Sequence, residues 1–135
     1  MRTIKFRAWD KEDTQMRDVL AVSFYHRVLS VEYEDDQFVQ DGMNRFILMQ
    51  YTGLLDKNKI EIFEGDIVKW GHLNQWSREQ PHRIAEVKFN PDIQFHSQVG
   101  VFNFGSFAYR DTTETDLEVI GNIYENPELL EEKNK

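Results

Sequence analysis

The chain has 135 residues, and because domains usually have about 100–200 residues, we predict a single domain over residues 1–135. It contains no cysteine, which excludes disulfides, thiolate metal sites and a thiol nucleophile, and it has no apolar run of about 18 residues that would span a membrane. The formal net charge of −8 disfavours binding to a nucleic-acid backbone, which depends on cations.

Short apolar runs alternate with polar turns along the chain, a pattern that predicts strands. At the start, Ile4, Phe6 and Ala8 alternate with charged or aromatic neighbours, as in a strand with one buried face. Residues 18–34 match neither the helical nor the strand period, but their β-branched and aromatic side chains favour strands. In chain order, we predict strands at residues 4–9, 16–22, 37–39, 46–51, 67–70, 84–89, 99–109 and 117–124.

The C-terminal segment has the features of a helix start. Asn126 is a suitable N-cap residue, Pro127 occupies the first helical position, and Glu128 places an acid in the first turn. We therefore predict a short terminal helix of one to two turns. Together these elements predict a mainly β fold, in the range from all-β to α+β, with a short C-terminal helix.

The densest carboxylates beside apolar strands are Glu61, Glu64 and Asp66. Such carboxylates can act as general acid and base or bind a divalent cation, so Glu64 and Asp66 are weak candidates for a metal site. The alternative is structural: Glu64-Gly65-Asp66 forms a tight turn in which Asp66 accepts hydrogen bonds from backbone N–H groups. We favour the structural interpretation and predict no metal site.

Nothing else in the sequence predicts an enzyme. The four histidines lack the short spacing of a zinc site, no serine lies in a nucleophile elbow, and no glycine-rich loop would hold a phosphate. We therefore predict no catalytic residues and no cofactor. The histidines are His26, His72, His82 and His96.

Two sets of residues are candidates for a binding surface. If Ala8 and its neighbours face the core, then Lys5, Arg7 and Trp9 form a row on the other face that would contact a phosphate and stack on a base. We favour the alternative that another element covers this row, because the chain is acidic. Trp76 lies in a polar loop and is either an anchor for a protein partner or a plug at the end of a barrel.

Three blocks of sequence carry a resemblance to a known family. They are IKFRAWD at residues 4–10 with Met16 after it, QYTGLLDKN and EIFEGDIV within residues 50–68, and EVIGNIYENPELL at residues 118–130. The chain resembles members of the YopX family, small proteins encoded largely by bacteriophages and prophages of low-GC Gram-positive bacteria. The resemblance spans nearly the whole chain. It implies a YopX-like domain with a mixed, folded β-sheet or pseudo-barrel of short strands, and it implies no activity.

One position departs from the family pattern. The family usually has glycine after the asparagine of the Asp-Lys-Asn turn, whereas this chain has Lys59. A glycine there suits a positive φ, so either Lys59 adopts that conformation at a cost or Asn58 adopts it instead.

The sequence thus favours a non-enzymatic accessory protein of a phage or prophage, in the cytoplasm of the bacterial host, that works by protein–protein contact. The protein partner comes from host or phage, and a homo-oligomer would close exposed edge strands. One alternative is a nucleic-acid-associated factor in phage replication or gene control that uses Lys5, Arg7 and Trp9. A second alternative is a divalent-metal-dependent hydrolase that uses Glu64 and Asp66.

Overall fold

A computed structural model describes residues 3–70, 83–89, 93–97, 100–103 and 117–131 of the chain. In these ranges the chain forms eleven strands and two 3₁₀ helices, so the predicted mainly β class is confirmed. No helix within them is long and apolar enough to cross a membrane. The strands, in chain order, are β1 (Phe6–Asp10), β2 (Gln15–Ser23), β3 (Val28–Glu32), β4 (Phe38–Gly42), β5 (Phe46–Leu55), β6 (Glu61–Phe63), β7 (Asp66–Trp70), β8 (Arg83–Phe89), β9 (Ile93–Ser97), β10 (Gly100–Asn103) and β11 (Glu118–Asn122).

The described strands belong to two antiparallel sheets, and neither closes into a barrel. The six-stranded sheet has the order β4-β3-β2-β1-β5-β6, and the five-stranded sheet has the order β10-β9-β8-β7-β11. The resemblance implied a mixed, folded sheet or pseudo-barrel of short strands, and the described strands form two antiparallel sheets of short strands within the same mainly β class. The 3₁₀ helices are Met43–Arg45, between β4 and β5, and Pro127–Leu130 near the C-terminus.

Backbone contacts divide the chain into two compact units, Met1–Tyr51 and Thr52–Lys135. The first contains β1 to β4 and the start of β5, and the second contains the strands from β6 onward. The division into two compact units does not test the prediction of a single domain over residues 1–135, which stays a prediction.

A bulge in β2 explains why the apolar period of residues 18–34 is irregular. Val19 lies opposite Val31, but the register then shifts, so that Val22 lies opposite Leu29. The extra residue at Leu20 leaves that side chain 57% exposed and returns the next apolar residues to the same face. Val19 and Val22 therefore both pack against the core of the first unit, which is formed by Ala8, Leu29, Val31 and Phe46.

The second unit has its own core, in which β8 shows the simplest strand pattern. Ala85 and Val87 are fully buried, whereas Ile84 and Glu86 on the opposite face are half-buried. Phe95 of β9 is fully buried. The other fully or nearly buried apolar residues of this cluster are Leu54, Ile62, Val68, Ile93 and Leu117.

In the turn between β5 and β6, Lys59 and not Asn58 adopts the positive φ. Lys59 has φ 66°, so the lysine itself adopts the left-handed conformation that glycine would adopt without strain. Its side chain is exposed. Its backbone N–H donates to the carbonyl of Asp56 at 2.9 Å, which closes the turn despite the strain.

We expect Lys59→Gly to raise the free energy of unfolding by about 0.5–1 kcal/mol. The left-handed conformation costs an L-residue about 1–2 kcal/mol, and the greater backbone entropy that glycine loses on folding offsets about half of that gain. Urea denaturation measures the change, and Lys59→Ala, which keeps a Cβ in the same conformation, serves as the control. A Lys59→Gly variant less stable than the parent chain would contradict this explanation.

The predicted C-terminal helix is present as the 3₁₀ helix Pro127–Leu130, with the proline at its start. Asn126 occupies the N-cap position but makes no side-chain cap bond, because its Oδ1 accepts the backbone N–H of Asn122 at 3.2 Å instead. A Cβ at Gly121 would lie 2.5 Å from that Oδ1. A larger residue at position 121 would therefore displace the Asn126 side chain from its bond to the Asn122 N–H.

Candidate functional site

The predicted row of Lys5, Arg7 and Trp9 lies at the start of the first unit. Lys5 is exposed and precedes β1, while Arg7 and Trp9 are half-buried on the same side of the strand. On the opposite side Ala8 is fully buried, but Ile4 is 74% exposed because the strand begins only at Phe6. The prediction of an inward face is therefore confirmed at Ala8 and wrong at Ile4, and Phe6 between them is half-buried.

Of the other predicted site residues, Glu64 and Asp66 lie together at the turn between β6 and β7. Trp76 lies outside the described residues, as do His72 and His82. Asp66 is 2% exposed and its Oδ2 accepts the backbone N–H of Phe63 at 2.8 Å, which is the structural role that we favoured. Glu64 is half-buried in the same turn. Within the described ranges, no group of three or more His, Asp or Glu side chains is arranged to hold a metal ion.

Asp10, at the end of β1, is completely buried and accepts five hydrogen bonds. The backbone N–H groups of Glu12 and Asp13 donate to its Oδ1 at 3.0 and 3.2 Å. The Nε of Arg17 donates to Oδ2 at 2.8 Å. Arg45 donates from Nη2 to Oδ2 at 2.9 Å and from Nε to Oδ1 at 3.0 Å. One buried carboxylate therefore organises the β1–β2 turn and binds two guanidinium groups.

Two further carboxylates complete this group, which we name the Asp10 cluster: Asp10, Asp13, Arg17, Asp41 and Arg45. Arg17 donates to Asp13 at 2.7 Å, and Arg45 donates to Asp41 at 3.2 Å. The Arg17 side chain is only 5% exposed and that of Arg45 12%. These two cations are therefore paired within the fold and cannot contact a phosphate without breaking the cluster.

The contacts within the Asp10 cluster shift the pKa values of Asp10 and Arg45. Burial by itself raises the pKa of Asp10, but the hydrogen bonds from Arg45, Arg17 and the backbone together hold it well below its ordinary value. The bond to Asp10 raises the pKa of Arg45 in turn. The carboxylate is therefore ionised at neutral pH.

The low pKa of Asp10 predicts that acid destabilises the first unit. A carboxyl whose pKa is lower in the folded than in the unfolded state stabilises the fold above its unfolded pKa, and this contribution is lost as the pH falls from about 5 toward 2. We therefore expect the free energy of unfolding to fall across this range, and more steeply than in Asp10→Asn. Urea titrations at a series of pH values measure it. Equal slopes for the two proteins would contradict the assignment.

Asp56 has the corresponding role in the second unit. It is fully buried, and its Oδ1 accepts the backbone N–H groups of Asn58 at 2.7 Å and Ile60 at 2.9 Å. Its Oδ2 accepts the N–H of Val119 at 3.0 Å. The same carboxylate thus shapes the β5–β6 turn and attaches the start of β11 to it.

Two more buried polar side chains form hydrogen bonds with backbone groups. Thr52 donates its hydroxyl to the carbonyl of Ile62 at 2.7 Å and accepts the N–H of Leu54 at 3.1 Å. Asn122 accepts the N–H groups of Tyr124 and Glu125 at 3.0 and 2.9 Å. Within the described ranges, every buried polar or charged residue therefore has a place in a turn or strand junction. These residues are Asp10, Arg17, Thr52, Asp56, Asp66 and Asn122.

Among the residues whose exposure the structure describes, most of the large exposed apolar side chains lie in the first unit. Phe24 and Tyr25, 68% and 91% exposed, lie in the turn between β2 and β3, which we name the hairpin tip. Leu20 and Phe38 are 57% and 64% exposed. This surface was not predicted from the sequence. The available signal was an aromatic pair placed between Ser23 and His26, where a turn normally has small polar residues.

Hydrogen bonds give the hairpin tip a defined shape. Ser23 Oγ lies 3.0 Å from His26 Nδ1 and accepts the backbone N–H of His26 at 3.3 Å. The Tyr25 and His26 rings meet edge to face with centroids 5.0 Å apart, and Arg27 adopts φ 56° to close the turn. The Ser23–His26 contact is therefore explained by the turn that it stabilises. This turn exposes the rings of Phe24 and Tyr25 to solvent.

A groove lies beside the tip on β2, β3 and β4, with a volume of about 510 Å³. Ser30 donates its hydroxyl to Gln40 Oε1 across it at 3.2 Å. Small and apolar side chains make up most of its lining, which comprises Ala21, Val22, Ser23, His26, Val28, Ser30 and Gln40. The hairpin tip, this groove and β4 form the surface of the first unit that is best suited to a macromolecular partner.

Comparisons with known proteins agree with this fold. The crystal structure of protein EF1440 from Enterococcus faecalis is similar to the chain, with a TM-score of 0.66 and 28% sequence identity over 96% of this chain and 99% of that chain. No curated protein matches the sequence. The YopX protein family matches residues 5–131, nearly the whole chain. The chain is therefore a member of the YopX family.

Proposed function

We propose that this YopX protein is a non-enzymatic protein-interaction module, an accessory protein of a phage or prophage that acts in the cytoplasm of the bacterial host. The observation that carries the proposal is the exposure of Phe24 and Tyr25, 68% and 91%, on a hydrogen-bonded turn. Aromatic side chains held in a fixed position are typical anchors of protein interfaces, because they bury a large area at a low entropic cost.

The distribution of polar residues supports a binding role over an enzymatic one. The buried carboxylates Asp10, Asp56 and Asp66 all accept backbone N–H groups, so each is committed to the fold. Arg17 and Arg45 are paired inside the Asp10 cluster, which leaves these two cations unavailable to a phosphate. The exposed surface therefore offers aromatic and apolar contacts in preference to a reactive centre.

Site-specific photo-crosslinking tests the proposed function. A benzophenone side chain at Tyr25 should crosslink a protein in lysate of the infected host, and the same group at exposed Gln15, at the start of β2, is the matched control. The captured protein is then purified and its binding is measured by calorimetry. We expect Phe24→Ser with Tyr25→Ser to weaken that binding by about tenfold or more. Unchanged affinity of this folded double variant would overturn the assignment of the hairpin tip.

A further inference from the structure

Strand β4 is an edge strand, and its register shows which of its backbone groups face outward. It pairs with β3 without interruption from Phe38 to Gly42, and it occupies one end of the six-stranded sheet. The N–H of Tyr33 donates to the carbonyl of Gln37, and that of Met43 donates to Arg27. These two bonds show which opposing residues of β3 and β4 are hydrogen-bonded to each other and which are not.

Because residues of an antiparallel strand bond to their neighbour alternately, Val39 and Asp41 bond to β3. Phe38 and Gln40 then direct their N–H and C=O groups away from the sheet. Within the described part of the chain, no hydrogen bond reaches these four groups. They are arranged to pair with one more extended segment.

Charge determines what kind of segment fits this edge. Four carboxylates beside β4, those of Glu32, Glu34, Asp35 and Asp36, are exposed and form no ion pair within the described ranges. Residues 31–41 contain no lysine or arginine. A second copy of the chain would add another segment with the same excess of negative charge to the interface, which disfavours self-association at this edge, whereas a basic segment would be attracted.

The neighbours of Phe38 provide a second reason for a basic occupant. Phe38 is 64% exposed and lies directly opposite Glu32 in the β3–β4 register, so the two side chains share a face of the sheet. The aliphatic stem of a lysine or arginine can lie along the ring while its charged group reaches the carboxylate. An apolar surface and a negative charge are thus placed side by side.

We propose that β4 binds an extended lysine- or arginine-rich segment of the partner protein as an added strand. The backbone groups of Phe38 and Gln40 supply the hydrogen bonds, and the four carboxylates select for positive charge. This inference rests on the proposed function, since it names the chemistry of the partner that such a module would recognise.

A fluorescein-labelled peptide that alternates lysine and valine over about eight residues tests the proposal by fluorescence anisotropy. Gln40→Pro removes an outward N–H but no bond to β3, and Gln40→Ala keeps that N–H and serves as the matched control. We expect Gln40→Pro to weaken binding about tenfold or more and Gln40→Ala to change it less than about twofold. Equal binding by the two variants, or equal binding of the corresponding glutamate–valine peptide, would overturn the proposal.

A second measurement uses the unaltered protein and so does not depend on the folding of a variant. On addition of the lysine–valine peptide, amide exchange followed by NMR should slow at Phe38 and Gln40 and be unchanged at Val39, which already bonds to β3. Slowing confined to the hairpin tip would contradict the assignment to β4. A mass in solution that doubles with concentration, and that Gln40→Pro returns to a monomer, would overturn it in favour of a second copy.

The two proposals fail in different ways. If the captured partner needs Phe24 and Tyr25 but neither Gln40→Pro nor the peptide affects its binding, the β4 proposal fails and the proposed function stands. If the peptide protects Phe38 and Gln40 but the crosslinked partner is unaffected by the hairpin-tip variant, the assignment of the tip fails and the β4 proposal stands.

Discussion

Replacement of Asp10 by alanine is expected to lower the free energy of unfolding by about 3–5 kcal/mol, because it removes the fully buried partner of two guanidinium groups and leaves them only the more exposed carboxylates Asp13 and Asp41. Arg17, whose side chain is 5% exposed, would keep its 2.7 Å contact to Asp13 and its position over the Tyr33 ring, 4.5 Å from the centroid. The backbone N–H groups of Glu12 and Asp13 would lose their acceptor as well. Urea or guanidinium denaturation measures the loss.

The matched control for this variant is Asp13→Asn. Asp13 contacts the same two arginines, but its side chain is 35% exposed, so solvent already screens the pair and we expect a loss of less than about 1 kcal/mol. If Asp10→Ala cost no more than Asp13→Asn, the Asp10 cluster would not be the organising feature of the first unit.

Asp56→Ala is expected to lower the free energy of unfolding by about 2–4 kcal/mol. The buried carboxylate accepts three backbone N–H groups, and donors left without a partner in a buried site cost about 1–3 kcal/mol each unless water reaches them. The turn residues Asn58 and Ile60 are exposed, so water can replace part of the hydrogen bonding that their N–H groups lose. The bond to Val119, by contrast, joins parts of the chain that are 63 residues apart.

Asp56→Asn tests how much of this loss comes from the acceptor oxygens of the carboxylate. The asparagine keeps one acceptor oxygen, so we expect about half of the loss seen with alanine. Denaturation of both variants gives the two values, and hydrogen exchange at Val119 shows whether the start of β11 is released. An unchanged exchange rate at Val119 in Asp56→Ala would contradict a joining role for this carboxylate.

Strand alternation was sufficient to predict much of the fold from the sequence. β8 was predicted within one residue of its observed bounds, because Ala85 and Val87 alternate with less buried neighbours. The proline at position 127 located the C-terminal 3₁₀ helix for a similarly local reason. β9 was not predicted, since its two buried residues, Ile93 and Phe95, give too short a pattern to recognise.

Features that depend on distant residues were not predictable in this way. The bulge at Leu20 conceals the strand period, because one extra residue inverts the alternation. Asp10 and Arg45 are 35 residues apart in the chain, and no local pattern pairs them. The role of Asp66 was predicted because its partner, Phe63, is only three residues away. Local hydrogen bonds can thus be inferred from sequence, and long-range ones cannot.

The blocks of sequence that carry the resemblance to the YopX family have a common physical role. Asp10, Thr52, Asp56, Asp66 and Asn122 lie in these blocks, and each bonds to backbone groups at a turn or strand junction. These residues therefore specify the fold. The recognition surface that we propose lies between the first and second blocks, on the hairpin tip and β4.

Hydrogen exchange with mass spectrometry, on the protein alone and with its captured partner, tests this division of roles most directly. The account predicts that the partner slows exchange within residues 23–42, at the hairpin tip and β4, and leaves the turns at residues 56–66 and 117–126 unchanged. Protection confined to those turns, with residues 23–42 unaffected, would show that the family blocks themselves bind the partner and would contradict the account.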